Sequence, residues 1–219
     1  MIIIVDNTVS KKRYLNKLKR FLSSSGYAFG VIKTLSDFED LKKKTTSVTT
    51  SVTPSVSCFI LSGSERMVSD FHDVNSINRT NSTNGTKILL DTVIASTLEE
   101  TNSFYEVPIV GICFGAQYLN VFFRGTLKEI QQICEMRNIK WRGENNLTEN
   151  DRFKFCLHYL PDKMGKDLIP RAYLGRDPVV FTHETQPIIG FLFHPEHDKA
   201  GRRVLKSVLR YLEGEGWKY

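Results

Sequence analysis

Val107-Pro108-Ile109-Val110-Gly111-Ile112-Cys113-Phe114-Gly115-Ala116-Gln117 is the stretch that decides the fold of this 219-residue chain. Val107 to Val110 are strand formers, and a Gly-x-Cys-x-Gly segment follows directly. Ala116 to Phe123 then reads as an amphipathic helix. A strand that turns sharply into a helix lifts the residue at the turn clear of the sheet, and glycines on either side admit the tight backbone. A cysteine at that turn lies at a helix N-terminus, which pulls a thiol pKa below its free value of about 8.5. Cys113 is therefore a candidate nucleophile. Cys58, Cys134 and Cys156 lack this setting and read as ordinary structural cysteines.

A second signal lies far downstream. Ile188-Ile189-Gly190-Phe191-Leu192-Phe193 is an apolar run of the kind buried on both faces of a sheet, and it ends in His194-Pro195-Glu196. A His at a strand end with a carboxylate two residues later suits a general base and the group that orients it. Cys113, His194 and Glu196 would then form a triad for acyl transfer from an amide. His197, Asp198 and the pair His183-Glu184 are nearby groups of the same chemistry, and the latter pair reads as part of a loop.

Together these segments resemble the class I, triad-type glutamine amidotransferases. The resemblance rests on Gly111-Ile112-Cys113-Phe114-Gly115-Ala116-Gln117 and Phe193-His194-Pro195-Glu196. It is supported by Met1-Ile2-Ile3-Ile4-Val5-Asp6-Asn7 as an opening strand and by Cys58-Phe59-Ile60-Leu61-Ser62-Gly63-Ser64 as the strand before an oxyanion loop. It implies a flavodoxin-like α/β fold, a three-layer sandwich with a mostly parallel central sheet and helices on both faces. It also implies that Cys113, His194 and Glu196 carry the catalysis. The N–H groups of Phe114 and of the Gly63-Ser64 turn would hold the oxyanion, and Gln117, His158 and Tyr159 would contact the substrate. Two positions depart from the family's pattern. Ser64 stands where relatives carry the second glycine of a Gly-Gly pair, and would be strained if that position needs a positive φ. Tyr159 stands where a His-Gly loop is usual, which leaves room for a larger γ-glutamyl substrate. The substrate is thus L-glutamine or a γ-glutamyl compound. Released ammonia implies a separate synthetase subunit, as in the separate-chain enzymes GMP synthase and anthranilate synthase, whose opening Val5-Asp6-Asn7 resembles. The alternatives of the same fold are a γ-glutamyl hydrolase and a catalytically weak binding or regulatory homologue.

Alternating strands and helices through the first half point independently to a parallel sheet with ligands at the strand C-termini. Strands are predicted at Ile2 to Val5, Ala28 to Thr34, Cys58 to Leu61, Phe155 to Tyr159, Ala172 to Leu174, Val179 to Thr182 and Pro187 to His194. Helices are predicted around Tyr14 to Leu22, over Leu35 to Lys44 with Ser36 as its cap, over Ile88 to Glu100 and over Ala200 to Leu212. Lys128 to Met136 also reads as helical. One domain over 1–219 is expected, with flexible insertions at 45–57, a Ser/Thr/Val tract, and at 66–87, where three formal glycosylation sequons reflect composition alone.

Hydrophobic residues make up 41% and charged residues 25%, ordinary for a globular protein, and the net charge of +6 is carried largely by the first and last helices as solvated faces. No aromatic interleaving or nucleic-acid motif accompanies those lysines and arginines, so no nucleic-acid partner is expected. No apolar run reaches a membrane span, the first residues lack the basic n-region and longer apolar h-region of a signal peptide so none is expected, and four irregularly spaced cysteines give neither a disulfide framework nor a metal pattern. A cytoplasmic protein without metal or cofactor is the expectation. The absence of a phosphate loop or dinucleotide fingerprint argues against ATP binding.

Overall fold

The structure is a computed structural model that describes residues 1–8, 13–46, 56–64, 81–102, 104–142 and 151–212. Among these residues an eight-stranded sheet organises the chain. Its order is β2 (Phe29–Ile32), β1 (Ile2–Val5), β3 (Cys58–Leu61), β4 (Ile109–Ile112), β12 (Ile188–Phe191), β11 (Asp177–His183), β10 (Leu168–Leu174) and β7 (Lys140–Trp141). The first five run parallel, and β11, β10 and β7 continue the sheet antiparallel. The four central strands, β1, β3, β4 and β12, are buried at every residue. Their uninterrupted apolar runs are what a strand needs when helices cover both faces.

The helices bring one apolar stripe each. α1 (Arg13–Ser24) buries Leu15, Leu18, Phe21 and Leu22, and α5 (Lys199–Arg210) buries Val204, Leu205, Val208 and Leu209. Phe38 of α2 (Leu35–Thr46), Phe59 of β3 and Phe104 interlock with ring centroids 5.3 to 6.2 Å apart. α4 (Phe114–Phe122) follows β4 without an intervening loop residue other than Cys113. The architecture is the α/β sandwich with a mostly parallel sheet that the sequence implies.

Several local expectations are corrected. Thr34, not Ser36, starts α2. The Thr34 hydroxyl accepts from the Asp37 N–H at 3.1 Å while the Asp37 carboxylate accepts from the Thr34 N–H at 2.8 Å, a reciprocal capping box. α3 (Asn81–Leu98) begins inside the polar tract read as a loop, because a helix nucleated on Leu89, Leu90, Val93 and Ile94 propagates cheaply into flanking residues. Lys128 to Met136 is not helical. Leu127, Ile130 and Ile133 repeat every three residues, but they lie on β5 (Thr126–Ile133), paired antiparallel with β9 (Leu157–Lys163) through an irregular register. That irregularity turns a period of three into one half-buried face, and strand pairing overrides the helical spacing. β6 (Met136–Asn138) pairs with β8 (Arg152–Lys154). Residues 47–55 and 66–80 of the expected insertions lie outside the described residues.

Candidate active site

Three adjacent strands end at one level. Leu61 of β3 is in register with Gly111 of β4, and Ile112 of β4 with Phe191 of β12. The residues that leave these strands, Gly63, Cys113 and His194, therefore converge at the C-terminal edge of the sheet, where open α/β sheets present their ligand sites.

Cys113 carries φ 51° and ψ −106° at the junction of β4 and α4. Its N–H donates to the Phe191 carbonyl at 2.7 Å and its carbonyl accepts from the Gln117 N–H at 3.0 Å, so neighbours on both sides hold the strained turn. The flanking glycines are required by contact. A Cβ on Gly111 would come within 2.6 Å of the Leu119 side chain, and one on Gly115 would overlap the Leu61 carbonyl.

His194 lies beyond the end of β12, only 2% exposed. Its Nδ1 is 2.8 Å from Glu196 Oε1, and Glu196 is equally buried. The ring also hydrogen-bonds Cys113, and with Nδ1 engaged by Glu196 the nitrogen left for sulfur is Nε2. Burial is the largest single influence on His194 and pushes its pKa down. The charges of Glu196 and Cys113 and their hydrogen bonds together outweigh it and lift His194 from 6.5 to about 10. The pocket is therefore built to hold an imidazolium beside sulfur.

Gly63 closes one side of this pair. A Cβ there would lie 2.8 Å from His194 Cε1 and 3.5 Å from Cys113 Cβ, so only glycine lets the β3 loop approach so closely. Ser64 follows, its hydroxyl donating to the Asn7 carbonyl at 2.7 Å. Asn7 is itself tied to Ser62, through Asn7 N–H to the Ser62 hydroxyl at 3.0 Å and Asn7 Nδ2 to the Ser62 carbonyl at 2.9 Å. Neither Gly63 nor Ser64 has a positive φ, so the strain considered for Ser64 is absent, and the strained residue is Cys113. Phe114 is the first residue of α4, and the N–H groups of a helix's first turn must find acceptors outside the helix.

Gln117 is buried, and its side-chain amide donates to the Tyr159 carbonyl at 2.9 Å, which fixes α4 to β9. His158 and Tyr159 are half-buried on β9, whose preceding residue Cys156 offers its carbonyl to Cys113 Sγ at 3.5 Å. The remaining polar neighbours have structural work. Asp198 caps α5 by accepting from Gly201 N–H at 2.8 Å, and His183 Nδ1 accepts from the Thr185 and Gln186 N–H groups in a turn. Among the described residues, no group of three or more His, Cys, Asp or Glu could hold a metal ion, and no helix is long and apolar enough to cross a membrane.

Two participants were not legible in the sequence. Tyr14 of α1 stacks on His194, ring centroids 3.8 Å apart and planes 16° from parallel, and its hydroxyl hydrogen-bonds the Cys156 sulfur. Burial, then the Cys156 sulfur, raises the Tyr14 pKa and keeps its hydroxyl protonated. Tyr14 looks in sequence like one more apolar position of a helix, and Cys156 like a structural thiol. Nothing local marks either one.

No curated protein matches the chain by sequence. Among solved structures, a putative GMP synthase component from Thermoplasma acidophilum superposes with a TM-score of 0.71 at 17% identity, covering 97% of this chain and 94% of that one. A glutamine amidotransferase from Thermotoga maritima superposes with a TM-score of 0.61 at 13% identity, covering 98% and 85%. The family model described as Peptidase C26 matches residues 40–171, a span that includes Cys113 and ends before His194. With more than half of its length matched by that model, the chain belongs to the Peptidase C26 family, and it shares the fold of these two structures.

Proposed function

We propose that this protein is a glutaminase of the amidotransferase type, which hydrolyses the side-chain amide of L-glutamine and delivers ammonia to a separate synthetase subunit. The observation that carries the reading is the buried Cys113, His194 and Glu196 constellation, with 2.8 Å between His194 Nδ1 and Glu196 Oε1 and Cys113 in its strained turn.

In this mechanism Cys113 Sγ attacks the carboxamide carbon while His194 holds the thiol proton. The oxyanion is taken by the N–H of Phe114 and an N–H of the Gly63-Ser64 turn. His194 then gives its proton to the departing nitrogen, and ammonia leaves. A water molecule, deprotonated by His194, cleaves the glutamyl thioester to release glutamate and restore the thiol. Glu196 fixes the ring's orientation and stabilises the imidazolium in both halves of the cycle. Gln117 holds Tyr159 and with it the β9 wall of the substrate pocket, to which His158 contributes.

A second reading, hydrolysis of a larger γ-glutamyl amide by the same groups, is favoured by the family description as a peptidase and by Tyr159 where a smaller residue is usual. Glutamate release by the purified protein, with Cys113→Ala as control, tests both. Turnover of L-glutamine that the substitution abolishes supports the first reading. Turnover only of a γ-glutamyl peptide supports the second. Failure on both substrates, together with no labelling of Cys113 by a glutamine-mimicking electrophile, would remove the catalytic assignment.

A further inference from the structure

Cys134 and Cys156 are two of the three free thiols that the proposed chemistry does not use, and the fold aligns them. Ile133 of β5 pairs with Leu157 of β9, and Met136 of β6 pairs with Lys154 of β8. Both pairs belong to one antiparallel register, and Phe155 N–H donates to the Glu135 carbonyl at 2.9 Å between them. Cys134 therefore stands directly across from Cys156, at a non-hydrogen-bonded position where Cα atoms are about 4.5 Å apart and side chains are closest. That separation lies at the lower edge of the range a disulfide spans. The sulfurs are 2.7 Å apart with both thiols free, Cys134 exposed and Cys156 half-buried.

We propose that Cys134 and Cys156 form a reversible dithiol–disulfide couple that responds to small-molecule disulfides and tunes the neighbouring Cys113 site through Tyr14. The exposed Cys134 thiolate attacks one sulfur of the incoming disulfide, whose S–S bond breaks and whose other half leaves as a thiol after taking a proton from water. Cys156 then gives its proton to water and attacks the Cys134 sulfur, expelling the second half. The protein loses two hydrogens and the small disulfide is reduced to two thiols. Burial, then the Cys134 thiol, raises the Cys156 pKa to about 11, which makes Cys134 the first to react.

The consequence reaches the site by contact. The Tyr14 hydroxyl donates to the Cys156 sulfur while its ring covers His194. A disulfide sulfur is a poorer acceptor than a thiol or thiolate, so oxidation releases the hydroxyl that holds the stack. The Cys156 carbonyl, which faces Cys113 Sγ at 3.5 Å, belongs to the same residue.

The test treats the full chain with 2-hydroxyethyl disulfide, which carries no γ-glutamyl group and so is independent of the proposed glutaminase reading. Peptide mass spectrometry locates the bonds, and the rate of Cys113 alkylation by iodoacetamide reads the site. The expected result is a Cys134–Cys156 disulfide with Cys113 still a thiol. Its alkylation is expected to slow about fivefold, the equivalent of one hydrogen bond, and to recover with dithiothreitol. In Cys134→Ser the reduced rate matches the unsubstituted protein and the oxidant has no effect. A mixed disulfide that persists at Cys134, or a bond between Cys113 and Cys156, overturns the couple. A Cys134–Cys156 disulfide that leaves the Cys113 rate unchanged overturns its link to the site.

Discussion

Replacing Glu196 by glutamine keeps the shape of the side chain and removes one charge. The Gln carbonyl can still accept from His194 Nδ1–H, so the 2.8 Å contact and the ring orientation survive. Oε2, the atom that becomes the amide nitrogen, has no hydrogen-bond partner among the described residues, so no further contact is broken. What is lost is the attraction between carboxylate and imidazolium, with charge centres about 4 Å apart, which is worth about 4 kcal/mol at an effective dielectric of about 20. Both groups are nearly inaccessible to solvent, so screening does not reduce this strongly. At 1.4 kcal/mol per tenfold, glutamate release should fall by about 10²- to 10³-fold, since the imidazolium is present when the amide nitrogen departs. Stability should change with a matching pH signature. His194 is raised from 6.5 to about 10 in the folded protein, so its contribution is fully present below pH 6.5 and is lost as the pH rises through 10. Urea unfolding of Glu196→Gln against the unsubstituted protein should show the largest deficit below pH 6.5 and a vanishing one near pH 10. A variant that releases glutamate at the original rate, or a deficit that grows toward pH 10, would refute the role given to this carboxylate.

Gly63→Ala places a methyl group 2.8 Å from His194 Cε1. The ring has to move, and glutamate release should drop about 100-fold with a stability loss of about 1–3 kcal/mol, read by parallel activity and urea measurements. Cys113→Gly and Cys113→Ala should both be inactive, yet urea melts should find the glycine variant more stable by about 1 kcal/mol, because only glycine relieves φ 51°. Asn120 is fully buried and ties the start of β5, the end of β9 and Gly165 to α4, its Nδ2 donating to the Thr126 and Lys163 carbonyls at 3.2 and 3.1 Å and its Oδ1 accepting from Gly165 N–H at 2.8 Å. Asn120→Ala should therefore cost about 2–4 kcal/mol in a thermal melt without moving the pH profile of Cys113 alkylation.

The parallel core and the convergence of the candidate site could be read from sequence because their signals are local. Four apolar runs with no alternation can only be strands covered on both sides, and Gly-x-Cys-x-Gly at a strand end is a turn chemistry that few other structures need. His194 and Glu196 are separated by one residue, so their pairing is also nearly local. Tertiary structure decided what depended on distant partners. Leu127, Ile130 and Ile133 have the spacing of a helix, and only pairing with β9 through an irregular register makes them a strand. The stack of Tyr14 on His194 joins the first helix to the end of the last core strand, and the approach of Gly63 to the same ring comes from a third strand. Cys134 and Cys156 face each other only because the hairpin register brings them opposite. Such contacts are set by the angle and register at which elements dock, quantities that no short stretch of the chain encodes on its own.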